Sequence, residues 1–299
     1  MHFIVFISAA ASAQDPKLPG VNFGLTNLQA GKAKPPGLYY LQHIQMFQPS
    51  GNTNSEGKAV SGSPLTSYTL SLQQLMYISR VRVLKSYLGF NLLVPLVRNS
   101  SANEFKQSIN PNPLGDAALG VFLQWYDQHI GKLPVSFQLG GNLVAPTGSF
   151  YHRYDINPGT NRYRFIAHFE FTAEPLDRFA VSVKNNFYFY TRQIDQPDRP
   201  GPAYNLNYAL ELKLSDKITL EAAGYYLAQL GEDSYNGDNR YYQHQIGIND
   251  TRENILGIGP GIGIAGAGKS SMEIKCFWES EAKNRPKGFR MTILLGLPL

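Results

Sequence analysis

The stretch Arg162–Glu174 reads RYRFIAHFEFTAE, and its residues fall into two rows of different character. Tyr163, Phe165, Ala167, Phe169 and Phe171 form one row; Arg162, Arg164, Ile166, His168, Glu170 and Thr172 form the other. A β-strand turns successive side chains to opposite faces, so this period-2 pattern predicts a strand with one apolar and one polar face. The polar row mixes acids with bases, as a water-filled lumen would, and the apolar row is rich in large rings. Soluble strands average about 5–6 residues. A segment near a dozen fits the ~9–11 residues that cross a bilayer at a tilt.

The same pattern recurs along the chain. Tyr204, Leu206, Tyr208, Leu210, Leu212 and Leu214 alternate with Asn205, Asn207, Ala209, Glu211 and Lys213. Phe179, Val181, Val183, Phe187 and Phe189 alternate with Ser182, Lys184, Asn186, Tyr188 and Tyr190. Met272, Ile274, Cys276 and Trp278 alternate with Glu273, Lys275, Phe277 and Glu279. Strands are predicted at Gly37–Pro49, Ser67–Ser79, Ser86–Leu96, Gly115–Tyr126, Leu133–Leu143, Arg162–Glu174, Phe179–Tyr190, Ala203–Leu214, Ile218–Gln229, Asn254–Ala265, Ser271–Glu281 and Phe289–Pro298. Long links (Ser50–Thr66, Val97–Leu114, Val144–Asn161, Thr191–Pro202, Leu230–Glu253) alternate with short ones, and only Ala282–Gly288 breaks the rhythm. Long extracellular loops alternating with short periplasmic turns mark a transmembrane barrel with an even strand number. The predicted fold is therefore all-β: an antiparallel transmembrane barrel of about twelve strands.

Composition agrees. Charged residues make up 16% of the 299 residues, against roughly a quarter in ordinary soluble proteins. There are 18 Tyr, 17 Phe and 28 Gly, which suits aromatic strands joined by glycine turns. The net charge of +5 is scattered along the chain, which argues against nucleic-acid binding. The single cysteine, Cys276, excludes an internal disulfide and a cysteine-based zinc site. No apolar run reaches the ~20 residues of a transmembrane helix, which leaves a closed barrel as the way to span lipid. Phe3–Ala11 followed by Ala11-Ser12-Ala13 reads as a signal peptide over residues 1–13. Residues 14–36 are then a periplasmic segment or a lumen plug, and residues 37–299 the barrel.

Gly257–Ser270, GIGPGIGIAGAGKS, matches both a P-loop and a dinucleotide-binding spacing. Both motifs need a helix after the glycines, and Met272–Glu279 alternates as a strand instead. The expected reading is a strand with Leu256, Ile258, Pro260, Ile262 and Ile264 toward lipid and Gly257, Gly259, Gly261 and Gly263 inward, bending the strand or leaving room for a plug or solute. The six histidines are dispersed, and no catalytic or metal-binding constellation emerges. No enzyme, cofactor or metal is expected.

Several short segments resemble the putative MetA-pathway-of-phenol-degradation family of outer-membrane proteins. They are Lys34-Pro35-Pro36-Gly37-Leu38-Tyr39, Asn112-Pro113-Leu114-Gly115-Asp116, Ala145-Pro146-Thr147-Gly148, Gly224-Tyr225-Tyr226 and Gly257-Ile258-Gly259-Pro260-Gly261, in the expected order. The terminal Gly296-Leu297-Pro298-Leu299 departs from the aromatic ending common in barrel assembly signals. The resemblance implies an outer-membrane channel for passive uptake of small aromatic or hydrophobic molecules. Its partners would be the bilayer, lipopolysaccharide and the barrel-assembly machinery. The expected solute path is lined by Arg162, Arg164, His168, Glu170, Lys184, Glu211, Lys213, Glu221, Glu273, Lys275 and Glu279, with Tyr188, Tyr190, Tyr225 and Phe277 offering stacking surfaces. Two alternatives stay open. The charges could simply pair and rigidify a plugged barrel, or the barrel could be non-conducting and adhesive through loop Leu230–Glu253 with Tyr235, Tyr241 and Tyr242.

Overall fold

A computed structural model of the chain describes residues 18, 21–25, 30–31 and 34–299. The predicted signal peptide and much of residues 14–36 lie outside the described residues. Twelve long strands follow in order: β1 Gly37–Thr53, β2 Thr66–Val83, β3 Ser86–Ser101, β4 Ala118–Ile130, β5 Leu133–Val144, β6 Arg164–Leu176, β7 Phe179–Tyr190, β8 Ala203–Lys213, β9 Ile218–Gln229, β10 Asn254–Ala265, β11 Ser271–Lys283 and β12 Pro286–Pro298. Each pairs antiparallel with the next, and β12 pairs with β1 from Tyr39↔Pro298 to Asn52↔Pro286, which closes the ring. Closure leaves no strand edge unpaired.

Strand ends shifted at several places, and three of the shifts have a clear local reason. Gly115 does not start a strand because Pro95 opposite has no N–H to give; Gly115 N instead donates to Pro95 O and Val97 N to Pro113 O, and the regular ladder begins at Ala118. Arg162 lies before β6 because Asn161 adopts a left-handed φ of 52° and the guanidinium reaches Asp198 at 2.8 Å. The link read as Ala282–Gly288 shrinks to the residues between β11 and β12, with Asn284 at φ 54°. One of the two-residue turns, Leu84-Lys85, has φ of 51° and 66°, the geometry of a mirror-type hairpin turn, here without glycine. The glycine-rich segment ends as strand β10, then a short 3-10 turn at Ala267–Lys269, then β11; no helix follows that could cradle a phosphate.

Outward rows form an apolar belt that includes Leu119, Val121, Leu139, Phe165, Phe187, Leu210, Leu220, Ile258 and Trp278, all exposed. A closed antiparallel barrel with such a belt is an outer-membrane barrel. One sector is inverted. On β1 and β2 the outward row carries Tyr40, Gln42, Ser71 and Gln73, while Leu70 and Leu72 point inward. These outward polar groups bond one another: Tyr40 Oη donates to Gln73, Gln42 Nε2 to Ser71 Oγ at 3.3 Å and Gln73 Nε2 to Ser71 Oγ at 2.8 Å. Mutual bonding lowers the cost of holding polar groups against lipid.

Candidate functional site: the barrel lumen

Strand alternation fixes which side chains enter the lumen. Arg162, Arg164, His168, Glu170, Tyr188, Tyr190, Glu211, Glu221, Tyr225, Glu273, Lys275 and Phe277 are all buried. The Lys184 and Glu279 side chains are 21% and 0% exposed, each inside an ion pair. Lys213 is different. It sits at the last residue of β8, is half exposed, and pairs with Asp216 of the adjoining turn at 2.8 Å, so it belongs to the turn rim and not to the interior wall.

The interior charges pair within one strand, between neighbouring strands and, for Lys275 and Glu221, across the glycine face of β10. Lys184 meets Glu170 at 2.6 Å, Lys275 meets Glu221 at 2.9 Å and Glu273 at 3.4 Å, Arg285 meets Glu253 at 3.1 Å, and Arg290 meets Glu279 at 2.9 Å. Arg290 is the most elaborated. It is 1% exposed, donates to Gln45 Oε1 at 2.8 Å and to the hydroxyls of Tyr225 and Tyr68, and lies over the rings of Phe47 and Tyr68. Charge buried at this depth persists only when paired and hydrogen-bonded.

At Gly257 and Gly261 the room that a missing side chain leaves is taken by the protein's own lumen side chains. A Cβ on Gly257 would lie 2.3 Å from the Tyr225 ring, and one on Gly261 3.0 Å from Lys275 and 3.3 Å from Glu221. At Gly259 the obstruction is backbone, with Cys276 O 1.9 Å away.

The aromatic surfaces expected to guide solute are engaged too. Asn22 N donates to Tyr188 Oη at 2.9 Å, Gly24 N to Asn207 Oδ1 at 2.7 Å, and Gln45 Nε2 to Phe23 O at 2.6 Å. The Phe23 ring is 4% exposed, 5.1 Å from the Tyr225 ring, and a Cβ on Gly24 would overlap Phe277. Residues 22–24 therefore fill the β7–β12 side of the lumen.

What remains is a cavity of about 710 Å³ against the opposite wall. Leu70, Leu72 and Met76 of β2 and Leu93, Pro95 and Val97 of β3 give it an apolar strip. Facing this strip are Gln138, His168, Glu170, Lys184 and Asn186, with His43, Gln74 and Asn91 joined in a chain of hydrogen bonds beside it. Sequence reading missed the strip because it took apolar rows to face lipid, a rule that β2 inverts. The available signal was the β1–β2 pair, in which both rows of β2 mix polar and apolar residues.

The long links between strands are tied down. Asp116 is buried and accepts from Gly148 N at 2.9 Å, Thr160 N at 2.9 Å and Thr160 Oγ1 at 2.7 Å. Asp155 accepts from Ser108 N and Oγ, which hold its carboxyl below the usual range; the His152 imidazole does the same for Asp195. Tyr235 stacks on Tyr241 at 4.3 Å and Tyr242 is buried, so that loop turns part of its aromatic surface on itself.

The family model described as "Putative MetA-pathway of phenol degradation" matches residues 50–295. The chain belongs to this family. The family's segments named above have structural jobs here: Asp116 bonds Gly148 across two loops, and Gly257 receives Tyr225. Among solved structures, an outer membrane channel from Pseudomonas putida F1 superposes with a TM-score of 0.77 at 16% identity, covering 92% of this chain and 100% of that one. The KdgM porin in complex with disordered oligogalacturonate gives a TM-score of 0.44 at 9% identity, covering 88% and 99%. No curated protein sequence matches the chain.

Proposed function

We propose that the protein is a passive outer-membrane channel, not an enzyme, and that its solutes are small molecules with an apolar, commonly aromatic, body. The supporting observation is the cavity of about 710 Å³ with an apolar strip on β2–β3 and hydrogen-bonding groups opposite. Largely apolar pockets with a few convergent polar groups suit small organic ligands. Leu70, Leu72 and Leu93 offer an apolar body contact that a wall of paired charges would not. The Arg, Lys and Glu residues of the predicted solute path then serve two ends. They are held in ion pairs, some with one another as in Lys184–Glu170 and Lys275–Glu221, and they leave the apolar strip as the least costly route. By this reading β1 begins and β12 ends at the periplasmic side, and the long loops face outward.

The test is uptake by proteoliposomes together with planar-bilayer conductance. Wild-type protein is expected to conduct and to admit toluene and benzyl alcohol. Leu72→Asp is expected to cut entry of both by at least about tenfold, since a carboxylate on the strip must be desolvated or bring water with it. Protein that folds and neither conducts nor admits these solutes would rule the channel out.

A further inference from the structure

We propose that the cradle holding Phe23 is itself a binding site for an aromatic ring, that Phe23 occupies it as an internal ligand, and that an incoming ring bearing a hydroxyl displaces it. This rests on the channel reading for its physiological meaning, but the site stands on its own geometry.

Four rings surround the Arg290 guanidinium: Phe23 at 4.7 Å, Phe47 at 4.5 Å, Tyr68 at 5.5 Å and Tyr225 at 5.9 Å. Three belong to barrel strands, and the fourth is brought by residue 23. Arg285 lies over the same Phe23 ring, also at 4.7 Å, so the ring has two guanidinium contacts and one aromatic neighbour. Cation–ring contacts strengthen when they are desolvated, as both of these are. Both cations are already neutralised, Arg290 by Glu279 and Arg285 by Glu253, so the cradle favours a neutral ring over a carboxylate.

The attachments that bring Phe23 there are exchangeable. The described bonds of residues 22–24 to the wall run to side chains (Tyr188, Asn207 and Gln45), and no strand ladder includes those residues. Withdrawal would leave the Gln45 amide N–H without the Phe23 acceptor and Asn207 Oδ1 without the Gly24 donor, in a buried place where unmet polar groups are costly. A hydroxyl on the ring supplies both functions, accepting from Gln45 and donating to Asn207. Phe23 and Asn22 also border the cavity described above, so a solute on the β2–β3 strip is next to the site it would enter. Binding there would exchange an internal plug for a solute, coupling occupancy to opening.

The experiment titrates phenol, with cyclohexanol as the non-aromatic control, into detergent-solubilised full-length protein by calorimetry, and records conductance of the same samples. Phe23→Ala removes the competing ring but keeps the main-chain groups bonded to Gln45 and Asn207, so it reads the ring site alone; it is expected to tighten phenol binding at least about tenfold while cyclohexanol stays unchanged. Phe23→Leu, which keeps apolar bulk but loses the ring, should fall between. Adding Tyr225→Leu to Phe23→Ala should abolish the gain. Equal phenol affinity in wild type and both Phe23 variants would overturn the site, even if the channel conducts. Tightened phenol binding in a barrel that never conducts would instead uphold the site and remove the channel reading. If Phe23→Ala fails to fold, Phe23→Leu alone decides by the same criterion.

Discussion

Arg290→Met is expected to destabilise the folded barrel by about 3–5 kcal/mol, the usual cost of leaving the partner of a buried ion pair uncompensated. Glu279 would keep its charge at 0% exposure with its guanidinium partner gone, while Gln45 and the Tyr68 and Tyr225 hydroxyls would each lose a donor. Methionine fills similar volume, so the loss reports the charge network and not a cavity. Denaturant titration of the protein in micelles, with heat-modifiable gel migration as the fold assay, reads the shift. The double variant Arg290→Met/Glu279→Gln should recover a substantial part of it, since the stranded charge is then gone. A single variant as stable as wild type would mean that Arg290 is not held as described.

Gly257→Val should also weaken the fold, by about 1–3 kcal/mol or more, because overpacking against a fixed ring forces side chains off their rotamers. The Tyr225 ring cannot retreat easily. It is fully buried, its hydroxyl is bonded to Glu279 and Arg290, and Phe23 and Phe277 flank it at 5.1 Å each. Pairing the change with Tyr225→Ala should restore stability relative to Gly257→Val alone, since the new methyls would occupy the vacated ring space. A tolerated Gly257→Val would place the glycine row away from the lumen.

The strands were legible because alternation is a local property. Phe165, Phe169 and Phe171 against Arg164, His168 and Glu170 leave β6 one register in a barrel, since a one-residue slip would put charges into lipid. The strand count followed from twelve such segments and the alternation of link lengths. The candidate site was legible only in part, because partner choice inside a lumen is non-local. Nothing near Glu170 in sequence says that Lys184 meets it; the β6–β7 register does. Lys213 shared the parity of a lumen residue, but parity does not tell how far along the wall a residue lies, and it falls at the turn rim. Leu70 and Leu72 were overlooked because the sector carrying them is polar outside, as Gln42, Ser71 and Gln73 show. The role of Phe23 depends on β7, β8, β9, β11 and β12 closing around it, which no window of sequence contains.

The central claim is that solute travels through the lumen along the β2–β3 wall. Access of a small water-soluble thiol reagent to single cysteines in proteoliposomes tests it most directly, in a Cys276→Ser background. Leu72→Cys is expected to react from the aqueous phase and to be slowed by benzyl alcohol, while Ser71→Cys, one residue away on the lipid face, is expected to stay unmodified. Reaction at position 71 with none at position 72, or reaction at 72 that benzyl alcohol leaves unchanged, would contradict the account.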